Sequence, residues 1–193
     1  MVVPKTSARR DELLERAYRY VLEHGIAALS LRPLAADVQS SPRVLLFLFG
    51  SKDELVRALI GRARADELQM LDELRSRRDG DVADLFEVAG EVWTWLAAPA
   101  HRAVLTLWLE SYARSLIEPD GAWSGFAEAT VRDWLDLLAA AQPDDGRPPA
   151  QAEAERTLVL AVLRGALLDL LATGDAERTT AAVRRELAAL RDR

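Results

Sequence analysis

Arg43 and Lys52 are the side chains whose surroundings best suit them to grip an anion. Ser41-Pro42-Arg43 places a guanidinium in the first turn of a helix, and Ser51-Lys52-Asp53-Glu54 places an ammonium at the start of the next. Helix starts present unpaired N–H groups and the positive end of the dipole, which favour a phosphate. A guanidinium there can also take guanine O6 and N7 together, a contact worth about 1–3 kcal/mol of discrimination. The plainer readings are a solvated or phosphate-bound arginine, and a lysine that simply pairs with Asp53. Chemistry of other kinds lacks its residues. There is no cysteine, so disulfides and thiolate metal sites are excluded, and His24 and His101 are the only histidines. With no Ser-His-Asp set, phosphate loop or metal-ligand spacing, no catalytic residue, metal or cofactor is expected.

The elements that must position these cations are signalled in succession. Leu13, Leu14, Ala17, Tyr18, Val21 and Leu22 recur at spacings of three and four, predicting an amphipathic helix that stops at Gly25. Ser30 is a cap for a short second helix from Leu31 to about Val38, with Pro33 in its first turn where a missing N–H does no harm. Gln39-Ser40 offers the turn. Ser41 caps a third helix, with Pro42 at its first position, running to about Leu48. Gly50 ends it, and Ser51 with Glu54 forms a capping box for a fourth. Leu14, Tyr18, Val21, Leu34, Ala35, Val38, Leu45 and Phe49 would supply one shared core, leaving the third helix free to enter a major groove.

The pattern Ser30-Leu31-Arg32, Leu34-Ala35, Ser41, Leu45, Phe49 and Ser51-Lys52-Asp53-Glu54-Leu55 resembles the DNA-binding domain of the TetR/AcrR family of bacterial transcriptional regulators. The resemblance covers residues 9 to 58 and is most specific at Phe49-Gly50-Ser51-Lys52-Asp53-Glu54-Leu55; beyond, only length and helical character match. Two departures stand out. Gln39 replaces the family's usual turn glycine, and Val44, Leu46 and Phe47 stand where its third helix usually carries Thr, Tyr and His. Leu46 has no hydroxyl for a phosphate, and Phe47 or Leu48 offers only apolar contact with a thymine methyl. Polar contact then falls on Arg43, Ser40, Ser41, the amides at the helix start and Lys52, with Ser30 and Arg32 supporting at the second helix.

Charge distribution agrees with this division. The net charge is −6, but residues 1–57 hold nine basic and seven acidic groups, net +2, against sixteen and twenty-four, net −8, in 58–193. Lys5, Arg9 and Arg10, with no acid before Asp11, are expected to form a flexible basic arm along the phosphates. A net of +2 is weak for a DNA binder, so two modules acting together are expected. No apolar signal core opens the chain, so a cytoplasmic protein is expected.

Residues beyond 58 read as further helices, giving an all-α chain of about nine. The fourth is expected to reach about Arg75, the fifth to start at Asp81, the sixth to end at Ile117, the seventh to span Ala122–Ala141, the eighth Gln151–Ala172 and the ninth Glu177–Arg191. Breaks fall at 76–80, 118–121 and 142–149. Leu158 to Leu171 is apolar on nearly every face, too short and charged for a bilayer but suited to burial against a second copy, the competing reading being the central helix of a monomeric bundle. Ala161 and Gly165 let helices approach closely, and Arg164 and Asp169 would find partners across the interface. All five tryptophans lie in the fifth to seventh helices, and Trp93, Trp108, Tyr112 and Trp134 are candidates for lining an apolar ligand cavity, with core packing the alternative for each.

The resemblance implies a helix-turn-helix domain over 1–51 and a ligand-binding and dimerisation domain over 52–193. It also implies a homodimer, a four-helix bundle of the last two helices of each subunit with Ala161, Arg164, Gly165, Leu168 and Leu187 at the interface. The double-stranded DNA operator would carry half-sites about 34–36 Å apart. The expected function is a ligand-responsive repressor released by a small apolar or aromatic effector. The alternative is a ligand- or protein-binding dimer with weakened DNA binding.

Overall fold

The structure, a computed structural model, describes residues 5–192 except 28, 77–83 and 144, without the side chains of residues 5, 6 and 75. The expected helix start at Asp81, most of the 76–80 break and the Lys5 side chain therefore lie outside the described residues. Among the described residues the chain is all-α, with nine helices and no strand: α1 (Lys5–His24), α2 (Leu31–Asp37), α3 (Pro42–Phe49), α4 (Lys52–Ser76), α5 (Leu85–Leu96), α6 (Arg102–Ile117), α7 (Phe126–Ala141), α8 (Pro149–Thr173) and α9 (Ala176–Arg191). A 3-10 turn, Pro99–His101, precedes α6. Two compact units result, one from residues 1–67 and 103–128 and the other from 68–102 and 129–193.

In the first unit the apolar stripe of α1 packs on α2 and α3. Its deepest leucine is Leu13, wholly buried, whereas Leu14 is half-buried, so the stripe is rotated by one position from the expected one. Tyr18, Val21, Leu34, Ala35, Val38, Leu45 and Phe49 are all buried. α4 is fastened to α1 by a polar cluster: the Tyr18 hydroxyl donates to Asp66 Oδ2 at 2.7 Å, and Arg62 lies 4.8 Å over the Tyr18 ring while pairing with Asp66 and Glu15. Burial, reinforced by the bond to Asp66, pushes the Tyr18 hydroxyl pKa well up. α1 ends at Gly25, whose φ of +78° needs a residue without Cβ, and a Cβ there would also sit 3.1 Å from Glu110 Oε1.

The turn between α2 and α3 is closed by Ser40 N–H donating to Ala35 O at 2.8 Å and Gln39 N–H donating to Ala36 O at 3.2 Å. Gln39 takes a left-handed φ of +53°, the conformation that favours glycine. The left-handed penalty of roughly 1–2 kcal/mol exceeds the extra unfolded-state freedom of glycine, roughly 0.5–1 kcal/mol. Gln39→Gly is accordingly expected to raise the stability of this unit by up to about 1 kcal/mol, read as a higher denaturation midpoint; an unchanged or lower midpoint would contradict it.

Capping follows the sequence in part. Ser30 has the extended backbone of a cap, but its hydroxyl makes no cap hydrogen bond, so the expected role is filled by geometry alone. Ser41 Oγ accepts from Val44 N–H at 3.2 Å, with Pro42 in the first helical turn, as expected. Gly50, at φ +88°, ends α3 by donating to Leu46 O. Half of the capping box forms: Ser51 Oγ accepts from Glu54 N–H at 3.0 Å, while the Glu54 carboxylate turns to Arg57 at 2.9 Å. An ion pair along the exposed helix face replaces the reciprocal bond.

In the second unit α5, α8 and α9 pack on one another. Asp84 caps α5 by accepting from Phe86 and Glu87 N–H at 2.9 Å each, and pairs with Arg191 near the end of α9 at 3.0 Å. Burial pushes its carboxyl up, but these hydrogen bonds outweigh it and hold the pKa below the usual value. Asp169 does not seek a partner outside the subunit, because Arg178 of α9 grips both its oxygens at 2.7 Å and lowers its pKa. α7 starts at Phe126, four residues later than expected, because residues 121–125 form turns ending in Gly125 at φ +73°. Trp123 therefore lies in a turn. α8 starts at Pro149, two residues early, because a first-turn proline suits helix entry.

Candidate nucleic-acid interface

α3 turns Leu45 and Phe49 into the core and leaves Arg43, Val44, Leu46 and Phe47 outward. Phe47 is 79% exposed, an unusual state for a phenyl ring. Arg43 sits one helical turn before Phe47 and makes no ion pair among the described residues. Arg32, in the first turn of α2, and Lys52, at the start of α4, are likewise exposed and without an ion pair there; Asp53 does not neutralise Lys52. Ser30 and Ser41 are exposed and Ser40 half-buried, all at the helix-turn-helix corners. Three exposed cations thus stand in the first turns of three successive helices, the middle one of which has an exposed apolar side.

The expected basic arm is corrected. Arg9 and Arg10 belong to α1, because ion pairs extend the helix toward its start: Arg9 binds Glu12 at 2.6 Å, and Glu12 also takes Arg16 at 2.7 Å. These bonds lower the Glu12 pKa, the Arg9 hydrogen bond most. Arg10 lies 4.9 Å over the Phe49 ring and 4.0 Å from Asp11.

The four candidate ligand-lining residues divide between the units. Trp108 and Tyr112 belong to the first, where Trp108 is 7% exposed with its Nε1 donating to Ala63 O at 3.4 Å. Trp93 and Trp134 belong to the second; both are buried, and Trp93 Nε1 donates to Thr180 Oγ1 at 3.0 Å.

Of the residues assigned to self-association, Ala161, Gly165 and Leu168 are exposed on α8 and Arg164 is half-buried. Leu187 is corrected: at 6% exposure it belongs to the subunit's own core, because Val183, Leu187 and Leu190 form the inward stripe of α9. α8 is not buried all round either. Val159, Leu160, Leu163 and Leu170 face inward, and the opposite stripe bears Leu158, 40% exposed, and Leu168, 50% exposed. Leu158 was not singled out from sequence, although its spacing to Ala161 and Gly165 carries the signal. Glu110 was also missed: its carboxylate on α6 accepts from Ile26 N–H at 2.9 Å, a contact between residues 84 apart with no local signature. Among the described residues no group of three or more His, Asp or Glu could hold a metal ion, and no helix is long and apolar enough to cross a membrane.

Solved structures share this arrangement. A TetR-family regulator from Cytophaga hutchinsonii matches with a TM-score of 0.77 at 13% identity, covering 100% of this chain and 98% of that one. A TetR transcription regulator from Haloarcula marismortui matches at 0.70 with 16% identity, over 96% and 97%. The multidrug binding protein EbrR complexed with imidazole matches at 0.65 with 26% identity, over 95% and 93%. No family model and no curated protein matches the chain. The fold is that of the TetR-family transcriptional regulators.

Proposed function

We propose that this chain is a DNA-binding transcriptional regulator, a homodimer that represses by holding an operator with paired α3 helices and is released by a small apolar or aromatic effector. The observation that carries the reading is the outward face of α3, bearing Arg43 free of any ion pair among the described residues, with Arg32 and Lys52 nearby in sequence at the two flanking helices. Such cations neutralise phosphates, and an exposed guanidinium in the first turn of a recognition helix suits a base edge. The division 1–51 for DNA and 52–193 for ligand and self-association belongs to this proposal. The similarity to EbrR, a multidrug binding protein, supports an effector of the apolar or aromatic class. Release follows if the effector binds the DNA-incompetent state more tightly, a coupling typically about 1–3 kcal/mol.

Footprinting on the DNA flanking its own coding sequence tests the proposal, with protection expected at low salt and fading steeply as salt rises. Arg43→Ala is expected to weaken specific binding by about 10- to 100-fold per half-site while leaving nonspecific binding nearly intact. Equal loss of both would make Arg43 a phosphate contact. The exposed apolar side of α3 favours a second reading, a ligand- or protein-binding dimer with weakened DNA binding, which predicts no footprint at any salt.

A further inference from the structure

The outward side of α3 combines features that a phosphate-binding surface alone does not need. Phe47 is 79% exposed, and Val44 and Leu46 beside it are each 39% exposed. None serves the subunit's own core, which takes Leu45 and Phe49 from the same helix. Arg43 on the same helix is an exposed cation, and the neighbouring helices α2 and α4 each carry another in the first turn, Arg32 and Lys52. The complement of such a surface is therefore a polyanion with apolar spots among its polar edges. In the major groove of a duplex the one apolar group on a base edge is the C5-methyl of thymine, shared by 5-methylcytosine. An anionic lipid surface is a poorer match, because α3 has only eight residues and its opposite face is committed to the core.

We propose that Phe47 reads a pyrimidine C5-methyl in the major groove, so that DNA sites of this chain are selected for a methylated pyrimidine beside the base met by Arg43. This rests on the reading of α3 as a DNA-facing helix. Arg43 and Phe47 are four residues apart on one helix face, so their Cβ atoms are about 5–6 Å apart. That span equals one to two base steps at about 3.4 Å per step. The polar and apolar contacts thus fall on adjacent or next-adjacent base pairs.

The test starts by enriching duplexes from a random pool with the full-length protein and measuring affinity for the enriched sequence. Deoxyuridine is then placed for each thymidine in turn, and 5-methylcytosine for each cytosine. Replacement at one position per half-site is expected to weaken binding roughly four-fold, the worth of one buried methyl-sized group. In Phe47→Ala that same replacement is expected to have no effect. Putting 5-methylcytosine in place of cytosine at this position is expected to recover the same factor, whereas recovery by thymine alone assigns the site to thymine. An enriched duplex indifferent to deoxyuridine everywhere, or Phe47→Ala as sensitive as the parent, overturns the methyl reading and leaves DNA binding standing. Failure to enrich any sequence, with or without binding to anionic vesicles, overturns both. Because Phe47 is exposed, the variant keeps its helical content, checked by circular dichroism.

Discussion

Leu168→Glu is expected to leave the protein monomeric and to abolish its specific DNA binding. Leu168 and Leu158 lie on the outward stripe of α8 with Ala161 and Gly165, at spacings of three and four that keep them on one face. A Cβ built on Gly165 would meet nothing within 4 Å, so the subunit's own packing does not require a glycine there. Close approach by another helix does give it a purpose, and a two-fold pairing brings the same stripe from each copy together. Each substitution then occurs twice. If a central leucine is worth about 2 kcal/mol when truncated, two lost together weaken self-association by roughly a thousand-fold, before the cost of burying two carboxylates. A monomer presents one α3, and losing the second forfeits an avidity of roughly 10²–10⁴. Sedimentation equilibrium and a parallel DNA titration check both halves. Gly165→Leu supplies the control, since it adds bulk where the subunit has room and should likewise dissociate the dimer without lowering subunit stability. A parent protein that is monomeric at tens of micromolar, or a Leu168→Glu dimer, would refute the assignment.

Legibility from sequence followed how local each cause is. The end of α1, the start of α2 and both ends of α3 could be read because each is written in a cap, a proline or a glycine within a few residues. The start of α7 could not, since Ala122 to Gly125 has helical apolar content and only the positive φ at Gly125 breaks it. Arg9 and Arg10 were misread as an arm for a related reason. A basic terminus resembles a flexible tail until Glu12 is seen to take both Arg9 and Arg16, an i,i+3 and i,i+4 pattern present in the sequence but weak on its own. The site is divided similarly. Arg43 and the exposed Phe47 follow from the register of α3, which places Leu45 and Phe49 inward, and Lys52 follows from the Ser51 cap of α4. Leu187 and Asp169 needed the tertiary structure, because whether an apolar or charged position serves its own subunit or another depends on neighbours distant in the chain. Glu110 shows the limit most plainly, with its partner Ile26 held on a different element.

Leu45→Ala and Phe47→Ala, two residues apart on α3, are expected to separate stability from recognition. Leu45 is 1% exposed, so truncation, which removes buried apolar contact and opens a cavity, is expected to cost about 2–5 kcal/mol. A domain of this size has only about 5–15 kcal/mol in total, so the variant should show a separate early unfolding step for the unit formed by residues 1–67 and 103–128. Its DNA affinity should fall with that population and recover on cooling toward the stability maximum. Phe47 has little packing to lose, and its alanine variant is expected to stay within about 0.5 kcal/mol of the parent. Urea titration followed by tryptophan fluorescence would mix the two units, because Trp108 and Trp123 lie in the first and Trp93, Trp95 and Trp134 in the second. Hydrogen exchange over residues 31–50 reads α2 and α3 directly. Faster exchange in Leu45→Ala with unchanged exchange in Phe47→Ala is the expected pair. The reverse order would mean that α3 is turned the other way, with Phe47 inside and Leu45 facing solvent.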